Sequence, residues 1–352
     1  MLKPMHFGLF VEEARPGTTQ AAAFQEGLEL AEAAEAWGVD CLWLGELHFN
    51  PARSVISAPL LLAAFIAGRT RRLRVGTAVQ LLPLNNPLRI AEEVATVDHL
   101  SEGRFNFGIG RSGSPVAYDV LGVPYDESQA RFLEALAILR EAWKGQRFSY
   151  QGQFYRFENA MVSPRPYQLP HPPLRMAANS PETFASVGRL GLPLFVGVRD
   201  LDLPALRGHL RDYRRAWQEA GHPEPASVYL RIPVYAGTTE KGAREEPKES
   251  ITYFFQRHAD LIRSRIGRPG SGPAERHAAQ AEHVAKMSYD EILKTRVVFG
   301  TAAGLIERLA ELRDDLELDG ILVELNAGGL IPKEQALRTL RILSEEVMPA
   351  LK

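Results

Sequence analysis

The feature that most constrains the fold is a regular alternation of short apolar runs with longer stretches of helical period. Strands that alternate with helices along a whole chain form a parallel sheet. Eight such units in 352 residues, with no change of composition between the halves, favour a closed (β/α)8 or TIM barrel over an open doubly wound sheet. We therefore expect residues 1–352 to form a single barrel domain. The eight strand-like runs are 6–11, 40–47, 73–83, 105–113, 174–180, 192–198, 228–237 and 320–328.

Two segments interrupt the alternation. Residues 144–173 contain "RFSYQGQFYRF", whose alternating apolar pattern predicts a β-hairpin inserted after the fourth helix. Residues 266–290 begin rich in Gly, Pro and small residues and then become polar and helical in pattern. In a compact domain a loop this long is usually a lid, a binding loop or disordered. We expect a mobile, lid-like loop, with plain disorder as the alternative.

Charge and cysteine content exclude several classes of function. A formal net charge of −2 gives no long-range attraction for nucleic acid or for an anionic membrane, so neither is expected as a partner. Cys41 is the single cysteine, which excludes an internal disulfide, and the histidines show no metal-ligand spacing. The first residues lack the pattern of a signal peptide, and no apolar stretch reaches the roughly 18 residues of a spanning helix. We expect a cytoplasmic protein.

Polar residues at strand ends are the candidates for chemistry, because a barrel of this class works at the carboxyl ends of its strands. Glu46 and His48 follow the second run in "GELHFNP", and either side chain could move a proton. The alternative is that they are ordinary loop residues, with His48 bonded to Glu46 or to a loop carbonyl group.

A second set of candidates could bind an anion. Arg111 lies in the glycine-rich "GIGRSGS" after the fourth run, and a guanidinium group can meet a phosphate with two parallel hydrogen bonds. In "NSPET", Ser180 precedes a helix that starts at Pro181, with Thr183 in its first turn, and helix N-termini attract anions. Neighbouring strands would bring the two motifs together on one phosphate. A surface arginine and a plain capping serine are the alternatives.

Several stretches resemble bacterial luciferase and its flavin-dependent monooxygenase relatives. They are "HFGLF", "LWLGELHF", "VGTAVQLLPLNNPLRIAEEVATVDHLSEGRFNFGIGRSG", "AANSPETFASVGRLGLP" and "EEVMPALK", which follow one another in the family order over nearly the whole chain. The resemblance implies a barrel that binds reduced FMN at its C-terminal face. It implies that Arg111, Ser180 and Thr183 contact the phosphate, with Asn179 where luciferase has a glutamate.

Around the flavin ring the resemblance is less complete. It implies a cis peptide bond between Ala78 and Val79 beside the ring, with Gly110 as a further neighbour. The usual family motif Glu-His-His-Phe reads Glu46-Leu47-His48-Phe49 here, a second family histidine is Asn86, and Gly110 is a cysteine in the light-emitting enzyme. Because the imidazole linked to catalysis is replaced by Leu47, light production is not expected.

The resemblance suggests three functions. The first is an FMN-dependent monooxygenase that uses O2 on a small organic substrate, with reduced FMN supplied as a co-substrate by a separate flavin reductase. The second is a deazaflavin- or NAD(P)H-dependent reductase or dehydrogenase of the same superfamily, and the third is a flavin-binding protein without turnover. Family members are often dimers that pack the helices after strands 2 and 3. The apolar stretch 57–68 is compatible with a homodimer but equally with barrel-facing core.

Overall fold

The strands are short and regularly spaced along the chain. The computed structural model describes residues 4–12 and 15–352. Within these residues the strands are β1 (His6–Val11), β2 (Cys41–Leu44), β3 (Arg74–Leu81), β4 (Phe105–Gly110), β5 (Phe148–Gln151), β6 (Arg156–Ala160), β7 (Leu174–Ala177), β8 (Leu194–Gly197), β9 (Val228–Ala236), β10 (Val298–Gly300) and β11 (Gly320–Glu324).

A helix or helical segment follows each strand of the barrel. The helices are α1 (Gln20–Ala36), α2 (Pro59–Arg69), α3 (Pro87–Leu100), α4 (Pro115–Leu121), α5 (Ser128–Ala142), α6 (Pro181–Arg189), α7 (Leu203–Glu219), α8 (Glu240–Glu245), α9 (Lys248–Arg263), α10 (Ala274–Lys286), α11 (Tyr289–Thr295), α12 (Ala302–Leu316), α13 (Lys333–Ile342) and α14 (Met348–Leu351). In the described part of the chain, none of them is long and apolar enough to cross a membrane.

Eight parallel strands close into a barrel. Their order is β1-β2-β3-β4-β7-β8-β9-β11, and β11 pairs back to β1 with His6 opposite Gly320. All eight predicted runs contain one of these strands, so the predicted (β/α)8 barrel is confirmed. The additional β10 pairs with the far end of β9, where Val298 lies opposite Val234. It has only three residues, which is too short for a recognisable pattern in the sequence.

Aromatic side chains fill the interior of the barrel. The Trp43 ring packs edge-on against Phe195, with ring centroids 4.9 Å apart, and Tyr229 closes the cluster. A Cβ atom at Gly76 would lie 2.6 Å from the Trp43 ring, so a glycine is required there for the indole to fit. Because the interior is packed, a ligand has to bind at the mouth rather than inside the barrel.

The first interruption is the predicted hairpin. Strands β5 and β6 pair antiparallel, and the Glu134 carboxylate accepts hydrogen bonds from the backbone N–H groups of the turn at Gln153, Phe154 and Tyr155. The carboxylate thereby fixes the hairpin against α5.

The second interruption differs from the expected long loop. Helix α10 occupies 274–286 and packs Ala281 and Val284 against α9, which leaves a short non-helical connection before it. The helical pattern in the later part of the segment corresponds to this helix, and the Gly- and Pro-rich start forms the connection.

Candidate active site at the barrel mouth

Helix α9 crosses the mouth of the barrel. At its start, Ser250 Oγ donates a hydrogen bond of 2.6 Å to the carbonyl oxygen of Ala327, in the loop after β11. Just beyond its end, Arg265 Nε donates a hydrogen bond of 2.6 Å to the carbonyl oxygen of Gly113, in the loop after β4. Strands β11 and β4 lie on opposite sides of the eight-stranded order. The helix therefore forms a roof over the C-terminal face.

Arg111 and the start of α6 lie at neighbouring strand ends, as the sequence predicted. Strands β4 and β7 pair in parallel, with Ile109 opposite Met176. Arg111 follows β4, and its Nη1 donates a hydrogen bond of 2.9 Å to Ser128 Oγ. Ser180 follows β7, so both side chains belong to the same edge of the barrel mouth.

Ser180 occupies the N-cap position of α6, but its hydroxyl group does not cap the helix. Ser180 Oγ instead lies 2.7 Å from Thr183 Oγ1, within hydrogen-bonding distance. Asn179, one residue earlier, is exposed. Two hydroxyl groups at the start of a helix are thus free of backbone hydrogen bonds and could turn towards an anion.

The start of α6 already attracts a carboxylate group. Hydrogen bonds from its own backbone N–H and from Arg276 hold the pKa of Glu182 below its usual value. Arg276 Nη1 lies 2.8 Å from Glu182 Oε1, which ties α10 to the first turn of α6. A guanidinium group, two hydroxyl groups and a helix N-terminus make a donor set that suits a phosphate monoester.

The peptide bond between Ala78 and Val79 is cis, as the family resemblance predicted. Strand β4 passes close to it, since a Cβ atom added to Gly110 would lie 2.5 Å from Val79 Cγ2. The register between β3 and β4 shifts between Thr77 and Gln80, around this bond. The absence of a side chain at Gly110 allows the two strand ends to approach closely.

Glu46 and His48 form a pair near the end of β3, in which Glu46 is buried and His48 is partly buried. Glu46 Oε1 lies 2.7 Å from His48 Nε2, and Glu46 Oε2 accepts a hydrogen bond of 2.8 Å from the backbone N–H of Leu81. Because β2 ends at Leu44, both side chains belong to the loop after the strand. Glu46 therefore links the loop after β2 to the end of β3. The hydrogen bond to Glu46 is one of the two roles considered for His48.

Leu47 and Asn86 are the positions at which the resemblance implies histidines, and Asn86 has a structural role. Its side-chain oxygen accepts hydrogen bonds from Leu88 N at 3.0 Å and Arg89 N at 3.3 Å, which caps α3. Leu47 is partly buried, and its backbone N–H donates to the carbonyl oxygen of Ile56. Neither position supplies a group that exchanges protons.

Sequence reasoning missed a buried cluster of charges on the other side of the mouth. Glu12 Oε2 lies 2.7 Å from Arg53 Nη2 and 3.0 Å from Arg199 Nη2. Arg231 joins Glu12 at 3.0 Å to Glu324 at 2.7 Å. Glu12 and Glu324 lie at the ends of the first and last strands of the barrel. Their position at a strand end could have identified them, as it identified Glu46.

The two carboxyl groups of this cluster have opposite pKa shifts. Burial tends to raise the pKa of Glu12, but Arg53 and Arg199 outweigh it and leave that pKa lowered. Burial raises the pKa of Glu324 to about 7, because the attraction of Arg199 does not offset it and Glu12 adds to it. The two hydrogen bonds from Arg231 to Glu324, at 2.9 and 2.7 Å, favour the ionised carboxylate and oppose that rise. The upward direction of the pKa shift therefore rests on burial and on the charge of Glu12.

A second missed group lies under the roof helix. His258 of α9 and Asp200, which follows β8, are both largely buried, with His258 Nε2 3.2 Å from Asp200 Oδ1. His258 lies on a helix after the seventh strand of the barrel, away from the strand ends that were searched for functional residues. Its contact with Asp200 is seen only in the folded chain.

Comparison with known proteins places the chain among relatives of similar length. The profile of the luciferase-like monooxygenases matches residues 5–316. An uncharacterised protein of Sinorhizobium fredii is 30% identical over 99% of this chain and 97% of its own length. The oxygenase component of a flavin-dependent trigonelline monooxygenase from Acinetobacter baylyi is 26% identical over 98% of this chain and 95% of its own. Another S. fredii protein is 40% identical, but this chain spans only about half of it, 52%.

Solved structures share the whole architecture. A monooxygenase from Streptomyces bottropensis superposes with a TM-score of 0.81 at 25% identity, covering 98% of this chain and 99% of that one. An F420-dependent secondary alcohol dehydrogenase superposes with a TM-score of 0.75 at 18% identity over the full length of both chains, a likeness of fold alone. From the family match over most of its length, the chain belongs to the luciferase-like monooxygenases, a family of oxidoreductases.

Proposed function

We propose that the protein is an FMN-dependent monooxygenase that uses reduced FMN and O2 to oxidise a small organic substrate. The observation that carries this proposal is the placement of Arg111 and the α6 start on neighbouring strand ends, together with the cis peptide bond between Ala78 and Val79 on the adjacent strand β3. Arg111, Ser180 and Thr183 would bind the FMN phosphate, and Asn179 would lie at the rim.

The ring would rest near the Ala78–Val79 peptide bond and Gly110. A bound flavin supplies the reaction with O2, and the protein contributes orientation and protection from water. The roof helix α9 and the residues that follow it would protect the site from water. Arg268, just after α9, forms an ion pair of 2.5 Å with Asp119 in α4 and so fastens this cover to the rim of the barrel. Glu46 holds the end of β3 in place, and His48, bonded to it, is a candidate proton carrier.

Two partners follow from this proposal. Reduced FMN has to be made by another enzyme, since the sequence lacks the glycine-rich fingerprint of a dinucleotide site, so a separate flavin reductase is expected. A second copy of the chain would cover the exposed apolar side chains of α2, since Leu61 is 75% and Phe65 is 51% exposed. Sedimentation of the wild type and of a Leu61→Asp variant would test the dimer, which the variant should dissociate.

A rapid-mixing experiment tests the proposed activity. Protein loaded with reduced FMN is mixed with O2, and absorbance is followed against free reduced FMN. We expect an oxygen-dependent transient that outlives the one in free solution, because the closed mouth excludes water. Reoxidation at the rate of free FMN, without a transient, would refute a monooxygenase.

The alternative activity is hydride transfer with a deazaflavin. The fold shared with an F420-dependent dehydrogenase is compatible with it, whereas the imidazoles absent at Leu47 and Asn86 suggest a flavin-binding protein without turnover. Tighter binding of F420 than of FMN, with hydride transfer and no reaction with O2, would favour a deazaflavin-dependent enzyme. Tight FMN binding without any turnover over a substrate panel would favour a flavin-binding protein instead.

A further inference from the structure

His258 lies on the face of α9 that is directed at the barrel mouth. His258 and Phe254 are four residues apart and therefore lie on one side of the helix. Both contact the chain just after β8, where Arg199 Cζ lies 5.0 Å from the centre of the Phe254 ring and Asp200 approaches the imidazole. Since α9 spans the mouth from the loop after β11 to the loop after β4, this side of the helix faces the site.

Asp200 lies beside the imidazole of His258. His258 is 6% exposed, and its Nε2 lies 3.2 Å from Asp200 Oδ1. The distance is that of an ion pair, but the angles are not those of a hydrogen bond, so Nε2 has no hydrogen-bond partner among the residues described. A buried ring nitrogen without such a partner is uncommon and calls for an explanation.

Arg265 connects the pair of His258 and Asp200 to the loop that carries Arg111. Arg265 Nη1 lies 3.6 Å from Asp200 Oδ1, and Arg265 Nε binds the carbonyl oxygen of Gly113, two residues beyond Arg111. Gln280 of α10 donates a hydrogen bond of 3.0 Å to the backbone carbonyl oxygen of Asp200. The pair is thus fixed between the loop that carries Arg111 and the two helices that cover it.

The charges around the pair favour a neutral imidazole that can accept a proton. Burial lowers the pKa of His258, Asp200 opposes this shift, and Arg199 and Arg265 add to it. Burial alone would raise the pKa of Asp200, but His258, Arg265 and Arg199 hold it far below its usual value. In a neutral imidazole one ring nitrogen carries the proton and the other can accept one, and the nearby Asp200 carboxylate favours the proton on Nε2.

We propose that His258 is a proton-transfer residue of this site, that Asp200 is its positioning partner, and that the pair takes the place of the imidazole absent at Leu47. The inference rests on the proposed function. In such a reaction one atom of O2 enters the substrate and the other leaves as water, with two electrons and two protons from the reduced flavin. His258 takes up one proton at Nδ1, since Asp200 faces Nε2, and releases it to the departing oxygen, so it is unchanged after each turnover.

The first test needs no flavin. Histidine signals of the protein are titrated by NMR in the wild type, in Asp200→Asn and in His283→Gln, whose parent residue on α10 is exposed. Asp200→Asn should lower the pKa of His258 further, because the carboxylate that opposes the shift is gone, and His283→Gln should leave it unchanged. An unchanged His258 titration in Asp200→Asn would overturn the positioning role.

The second test uses protein loaded with reduced FMN and mixed with O2 over a range of pH. In His258→Ala, the proton-dependent phase should slow by about 100-fold or more, the usual effect of losing a general acid or base. Added imidazole should restore part of it, a rescue that a structural role would not give, while FMN affinity stays within threefold. His258→Gln is the second variant should the alanine protein not fold.

The outcomes separate this inference from the proposed function. A His258 variant that binds FMN and reacts at the wild-type rate at every pH, with no effect of imidazole, overturns the role of His258 alone. A wild-type protein without affinity for FMN overturns the proposed function and this role together.

Discussion

Replacing Glu46 should loosen the end of β3. Its carboxylate group is 2% exposed and joins two partners that are distant in sequence, His48 at 2.7 Å and the N–H of Leu81 at 2.8 Å. In Glu46→Ala the Leu81 N–H loses its acceptor, and an unpaired buried donor costs about 1–3 kcal/mol. Loss of the hydrogen bond with His48 adds about 1 kcal/mol. We expect a total loss of roughly 2–4 kcal/mol in the free energy of unfolding.

Amide hydrogen exchange locates this loss in the structure. Exchange at Leu81 should be faster by about 5–150-fold, the factor that corresponds to 1–3 kcal/mol. Glu46→Gln retains an oxygen that can accept from the Leu81 N–H, so Leu81 should stay largely protected while the contact with His48 weakens. Urea denaturation of the same variants gives the free energy of unfolding.

Glu158→Ala is the matched control, because Glu158 is 77% exposed and lies in the hairpin. Its free energy of unfolding should stay within about 0.5 kcal/mol of the wild type. If Glu46→Ala behaves like this control, and exchange at Leu81 is unchanged, then Glu46 does not hold the strand and the reasoning is wrong.

Three further predictions concern single positions. Gly110→Ala should lower FMN affinity and destabilise the protein by about 1–3 kcal/mol, because the new Cβ would lie 2.5 Å from Val79 Cγ2. FMN titration and urea denaturation measure the two effects, and wild-type values in both would contradict the prediction. Burial raises the pKa of the Cys41 thiol to about 12, so a thiol reagent at pH 8 should label the unfolded chain far faster than the native protein. Burial also raises the pKa of Glu324 from 4.5 to about 7, so the folded state binds more protons in that window and stability falls as pH rises through it. Glu324→Gln should flatten that part of the pH–stability curve, and an unchanged slope would refute the assignment.

The barrel could be predicted because its evidence is local. Each strand carries its own apolar run, and the alternation with helices dictates parallel pairing. The rule that such barrels work at the carboxyl ends of their strands singled out Glu46 and Arg111, and the structure shows that they follow β2 and β4. The register of β4 against β7 brings Arg111 and Ser180 to neighbouring strand ends. The cis bond at Ala78 came from resemblance to a family rather than from any local pattern.

The rest depends on contacts between distant parts of the chain. Arg53 and Glu12 meet across 41 residues, and Arg231 reaches Glu12 across 219. No spacing in the sequence encodes such pairs, because they depend on which loops converge at the mouth. His258 was overlooked for the same reason, since its role depends on the path of α9 across the barrel. No local pattern in the sequence shows that α9 crosses the mouth.

The affinity of the wild type and of Arg111→Ala for FMN and for riboflavin tests the central claim most directly. If Arg111 binds the phosphate group, its loss should weaken FMN binding by about 10–150-fold, the value of a hydrogen bond to a charged group, and leave riboflavin binding unchanged. Arg156→Ala, at a residue whose side chain is 68% exposed on the hairpin, should change neither affinity. Equal weakening of FMN and riboflavin in Arg111→Ala, or no weakening of either, would contradict a phosphate site at this edge of the barrel.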